Sequence, residues 1–148
     1  MNTHILRSTV YGGIALLLAV VLQVIMARPT YAATMTWDGG GGDDNFSTAL
    51  NWVGDVAPSS GDDLVFDNDT VDFAAGQPIN DMTAGTEFAG IVFQGSDTDS
   101  LELSGNDFDL SGDIESLTSA YMEIDMNATL LANATFRSTS DYYLSVNS

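Results

Sequence analysis

The chain contains no cysteine and no lysine, and its single histidine, His4, lies near the start. Of its three basic residues, Arg7 and Arg28 belong to the N-terminal segment, so Arg137 is the only cation beyond residue 32. Each absence removes a class of function. Without cysteine or histidine past residue 4, neither a Cys–His nor a Ser–His nucleophile system is available. A lyase acting on acidic sugars needs basic groups for proton abstraction and charge neutralisation, and Arg137 has no basic partner. Nucleic acid is excluded as a partner, because its recognition rests on cationic contacts to phosphate. Anionic membrane surfaces are repelled for the same reason. Nothing in the sequence calls for a small-molecule cofactor.

The charge that is present is negative. All 21 Asp and Glu residues lie after residue 32, and against one arginine they give that part of the chain a formal charge of −20. Such a field keeps a strand-rich protein soluble and its sheet edges apart. The missing cysteines have a second implication. Small exported domains usually rely on disulfides, so this one is expected to draw stability from repetitive packing.

Export itself is read from the first residues. Arg7 precedes the apolar run Ile14–Ala27, broken only by Gln23, and Thr30-Tyr31-Ala32 places small residues at the −3 and −1 positions of a cleavage site. A basic start, an apolar stretch of about 7–15 residues and a small-residue site describe a secretory signal peptide, residues 1–32, with a helical apolar core. The run is shorter than the roughly 20 residues a membrane span needs. The expected destination is secretion, or the extracellular, outer-membrane-associated cell surface, with the mature chain starting at Ala33 or Thr34.

From Thr34 onward, short apolar runs alternate with period two between Gly, Asp, Asn, Ser and Thr. They are Leu64–Phe66, Ile91–Phe93, Leu101–Leu103, Phe108–Leu110, Met122–Met126 and Tyr142–Val146. This patterning predicts half-buried strands and an all-β fold. Leu103-Ser104-Gly105 recurs as Leu110-Ser111-Gly112. Met122, Ile124 and Met126 recur 20 positions later as Tyr142, Leu144 and Val146, and Phe108 and Leu110 recur at the same offset as Ala128 and Leu130. An offset near 20 suggests stacked rungs, as in a parallel β-helix; the spacing alone admits a sandwich equally. Residues 33–85 differ from 86–148. They hold Trp37, Trp52, the Gly39–Gly42 run, Pro58 and Pro78. They are read as an irregular N-terminal cap with the two tryptophans in its core, and 86–148 as rungs that continue in a longer parent chain.

Thr36-Trp37-Asp38-Gly39, Asn45-Phe46-Ser47, Asn51-Trp52, Pro58 and Gly61–Phe66, followed by Gly90–Gly95, Leu101–Gly105 and Phe108–Gly112, carry a family resemblance. The segment 34–148 resembles the N-terminal passenger segment of bacterial autotransporter-associated β-strand repeat proteins. Phe46 stands where that pattern commonly has tryptophan. The resemblance implies a right-handed parallel β-helix (solenoid) and little about a ligand.

Gly39–Ser47 fits the calcium nonapeptide pattern once. Such sites need stacked copies, so Ca²⁺ is the one cation the motif admits, with no residue assigned to it. The pairs Asp62-Asp63, Asp67/Asp69, Asp97/Asp99 and Asp107/Asp109 are read as turn formers or solvated faces rather than as a metal site, with Asp67 and Asp69 on one strand face. Among 21 acids some pair must fall close together, so proximity identifies no glycosidase, and no catalytic residue is assigned. Asn45, Asn68, Asn127 and Asn133 begin N-x-S/T sequons, which matter only in a glycosylating host. Glu102, Asp109, Glu123 and Asp125 are expected to stack in like-charged columns, which would favour the folded state on mild acidification. The expected function is a non-catalytic structural or adhesive passenger module. Host surface or matrix glycans are its candidate partners, and the open edge of its last strand predicts strand-edge self-association. The alternative is a carbohydrate-binding or polysaccharide-active β protein.

Overall fold

The computed structural model describes residues 32–138 and the strand Leu144–Val146, all within one compact unit, 31–148. The signal-peptide reading, apart from Ala32, and Tyr142 and Tyr143 of the last predicted strand lie outside the described residues. The fold is all-β, a parallel β-solenoid of about three turns. Its elements are β1 (Thr34–Thr36), β2 (Asp62–Asp67), β3 (Ile79–Asn80), β4 (Thr86–Gln94), β5 (Leu101–Gly105), β6 (Phe108–Leu110), β7 (Ile114–Ser116), β8 (Met122–Asp125), β9 (Ala128–Leu130), β10 (Phe136–Ser138) and β11 (Leu144–Val146). One 3₁₀ turn, Ala49–Asn51, is the only helical element among the described residues.

Every strand–strand ladder is parallel. One sheet runs β1-β2-β4 and then divides, because the long β4 pairs with β6 through its first half and with β7 through its second. β9 continues from β6 and β10 from β7. The second sheet runs β3-β5-β8-β11. The parallel ladder therefore begins with β1 and β2, both inside the segment 33–85.

The alternation read from the sequence decides which side chains face inward. Leu64, Ile91 and Ile114 lie in one register column, and Phe66 and Phe93 in the next; all five are buried. Phe66 and Phe93 stack with ring centroids 5.7 Å apart. In the second sheet Leu101 lies against Met122 and Leu103 against Ile124, all four buried. Stacking like residues at the roughly 4.8 Å strand spacing turns a two-residue period into continuous apolar columns.

The rungs are not of equal length. Leu64 pairs with Ile91, 27 positions on, whereas Phe108 pairs with Ala128 at 20 and Met122 with Leu144 at 22. The offset of 20 therefore holds for β6 and β9 but not for β8 and β11. The step from 20 to 22 comes from a corner that widens from turn to turn. A bulge in β4 leaves Ala89 unpaired, since Asp62 aligns with Phe88 and Asp63 with Gly90. In the next turn that site is the three-residue corner 111–113, and in the last it is the five-residue corner 131–135. Two added residues keep the same side chains inward, so the period-two pattern cannot distinguish 20 from 22.

The Leu-Ser-Gly repeat also has a local meaning. Gly105 and Gly112 each follow an inward leucine and mark a bend within one turn. A Cβ on Gly112 would lie 2.0 Å from the Ala89 carbonyl oxygen, and one on Gly105, at φ +114°, 2.4 Å from that of Asn80. The preceding rung's backbone occupies the space where a side chain would go. Gly112→Ala is therefore expected to cost about 2–3 kcal/mol of stability, read as a lower denaturant midpoint, while Ser111→Ala next to it stays near wild type.

Candidate functional site

Two places gather polar groups: the cap turn and the acidic corner after β2. The cap closes the first turn with aromatic rings. Trp37 and Trp52 meet edge to face at 5.1 Å, and Phe46 meets Trp52 at 5.4 Å. All three are almost fully buried, and Trp52 Nε1 donates to the Phe46 carbonyl at 2.8 Å. The tryptophans are core, as the sequence suggested, and Phe46 packs against both.

The turn matching the calcium pattern is organised by Asn51, which is fully buried. Its Oδ1 accepts the Gly41 N–H at 2.8 Å, and its Nδ2 donates to Asp43 Oδ1 and to the Asn45 carbonyl. Asp43 also accepts from the Asn45 N–H and the Thr48 hydroxyl. The carboxylate that would ligate an ion is thus already a turn acceptor. Its pKa is lowered, first by the Asn45 N–H and then by Thr48.

The acidic pairs act in the same way. Asp62, buried at the start of β2, accepts the Ala33 and Ser59 N–H groups at 2.8 Å each, tying the entering chain to the first rung. Asp67 ends β2 and accepts the Asp69 N–H, so Asp69 lies in the following turn rather than on a shared strand face. Asp69 Oδ1 accepts from the Ser96 N–H, the Ser96 hydroxyl and the Asp97 N–H. These donors, the Ser96 N–H foremost, hold its pKa down. Asp107 accepts from Asn127 one rung on.

Asn68, Asp69, Thr70, Val71, Asp72, Asp97 and Asp99 line a polar hollow of about 360 Å³. Asn68 is 3% exposed and bridges two turns through Nδ2, to the Asp97 carbonyl and to Thr118 Oγ1. Its buried amide puts that sequon out of reach of a glycan in the folded chain. No group of three or more His, Cys, Asp or Glu among the described residues is arranged to hold a metal ion.

Like charges do stack, but in pairs rather than long columns. Glu102 aligns with Glu123, and Glu87 with Asp109. Asp125 aligns with Ser104. Arg137 pairs with Glu115 directly beneath it, N–O 3.2 Å, on the outer face.

Sequence reasoning found the cap aromatics and the turn acids. It missed the buried asparagines: Asn68 and Asn80 satisfy backbone carbonyls of a neighbouring turn, and Asn51 satisfies backbone groups within the cap turn. Asn80 Nδ2 donates to the Asn106 carbonyl and its Oδ1 accepts the Met82 N–H. Their only sequence signal was the Asn-Trp pair at 51–52. No family model, curated protein or solved structure matches this chain.

The lowered carboxylates set a pH dependence. Both Asp43 and Asp69 favour the ionised form when folded, so their contribution is full above the unfolded carboxylate value of about 3.9 and is lost as pH falls through the folded values. This is the opposite sign to the expectation from like-charge crowding. Chemical denaturation between pH 6 and pH 2.5 should show the midpoint falling below about pH 4, with a shallower fall in Asp43→Asn and Asp69→Asn. A midpoint that rises on acidification would contradict it.

Proposed function

We propose that the chain is an exported structural or adhesive module, carried out by the 1–32 leader and secreted or displayed at a bacterial cell surface as part of an autotransporter-type passenger. The observation that carries this reading is the use to which the carboxylates are put. Asp43, Asp62, Asp69 and Asp107 hold turns and rung contacts through backbone N–H groups. A carboxylate fixed in this way is a poor acid, base or nucleophile, because its lone pairs are taken, and in Asp43 and Asp69 the same donors also lower its pKa. What the chain offers instead is a regular outer surface. Thr36, Val65, Val92, Glu115 and Arg137 follow one another in register along one sheet. Such a ladder holds an outward face of mixed apolar and polar side chains at a fixed repeat, the geometry suited to contacting surface or matrix glycans.

The test is a glycan array combined with a polysaccharide hydrolysis screen on the secreted chain. The expected result is no turnover on neutral or acidic polysaccharides. Turnover that single Asp→Asn or Glu→Gln changes abolish would replace this reading with the polysaccharide-active alternative.

A further inference from the structure

The two tryptophans of the cap differ at one atom. Trp52 Nε1–H donates to the Phe46 carbonyl. Trp37 is as deeply buried, 1% exposed, yet no described residue accepts from its Nε1–H. Buried donors are nearly always paired, so such a group marks a place where an outside acceptor completes the bond. The indole forms part of the wall of a hollow of about 130 Å³ between the cap and the loop after β2, together with Asp44, Val71, Asp72 and Ala75. Gly39 lines the same hollow, and a Cβ built on it would stand 3.4 Å from Trp37 Nε1 and 3.5 Å from Val71 Cγ1. The N–H edge of the indole therefore faces this space.

The acids here differ from those that hold turns. Asp44 is half-buried, and its carboxylate makes no hydrogen bond to a described residue. It lies against the bare Cα of Gly76, where a Cβ would collide with Oδ1. Asp72 accepts the Ala74 N–H through Oδ1 and leaves Oδ2 without a partner among the described residues.

These groups define an occupant by its chemistry. The atom meeting Nε1 must carry a lone pair, which an ammonium group or a bare metal ion lacks. The atoms meeting Asp44 and Asp72 must carry hydrogen, which a carboxylate or phosphate does not, and the acidic chain repels both. A hydroxyl group accepts and donates, and a ring bearing hydroxyls beside C–H groups also matches Val71 and Ala75. The hollow is smaller than the roughly 300 Å³ at which drug-sized sites begin, and it suits one edge of a single sugar ring.

We propose that this hollow is a subsite for one neutral sugar residue, with Trp37 Nε1–H donating to a sugar oxygen and Asp44 and Asp72 accepting from neighbouring hydroxyls. The proposal rests on the reading of the chain as a glycan-contacting module and names the place and the sugar class.

Because the chain has two tryptophans, its ¹H–¹⁵N spectrum carries two indole signals. Titration of the full chain with methyl glycosides of glucose, galactose, mannose and N-acetylglucosamine, with methyl glucuronide and with calcium chloride tests the proposal. The Trp37 signal should move and saturate at millimolar concentrations of at least one neutral glycoside, while that of Trp52 stays in place. The glucuronide should bind at least tenfold more weakly, and calcium should leave the signal unmoved. Asp44→Ala, at a side chain that holds no turn, should weaken binding at least tenfold, and Glu102→Gln, on the other sheet, should not. Trp37→Phe assigns the signal; if that variant does not fold, faster solvent exchange of the unpartnered indole proton identifies it. A Trp37 signal moved by no neutral glycoside would overturn the proposal. So would a shift caused by calcium alone, tighter binding of the glucuronide, or binding that survives Asp44→Ala. A glycan array separates the failures: glycans bound without effect on Trp37 overturn this site alone, whereas no glycan bound by any measure overturns the site and the glycan-contacting reading together.

Discussion

The structure depends on one constraint: each parallel strand must rest on another, both for its backbone hydrogen bonds and for its inward side chains. A parallel pair cannot be closed by a tight hairpin, so the chain must travel around the coil before it returns to the same edge. Stability thus comes from contacts some 20 to 27 residues apart in sequence. The long-range burial of Phe66 on Phe93 and Leu103 on Ile124 does here, without cysteine, what disulfides do in many small domains.

The same constraint explains where the polar residues went. Turns between rungs leave backbone N–H groups without strand partners, and buried ones must be satisfied. Aspartates meet this need at the surface and asparagines inside. Asp69 collects the N–H groups of Ser96 and Asp97, while Asn51 holds the cap turn and Asn80 bridges to a neighbouring turn. The high acid content is therefore partly structural, and only what remains facing outward acts as a solubilising field.

Much of this was legible beforehand because inward and outward positions alternate strictly. Leu64–Phe66, Ile91–Phe93, Leu101–Leu103 and Phe108–Leu110 all lie in strands, and Trp37 and Trp52 form the cap core. β7 escaped notice because its three residues, Ile114, Glu115 and Ser116, present a serine inward after a single apolar residue. β3 was hidden because Asn80, not an apolar residue, is its buried member. The bridging roles of Asn68 and Asn80 depend on partners in a neighbouring turn, which no local pattern reveals. The last register was misjudged by two residues because the corner grew without changing which side faced inward.

If stacking on a capped first turn is the source of stability, protection should be graded along the coil. Among the described strands β4 is paired on both sides, by β2 and by β6 and β7, whereas β9 and β10 are each paired on one. Native-state hydrogen exchange, measured residue by residue at a protein concentration low enough to keep the chain monomeric, tests this most directly. The slowest amides should lie in β2 and β4, with protection declining through β6 and β7 to its lowest values in β9 and β10. Amides of β9 and β10 as protected as those of β4 would contradict the account.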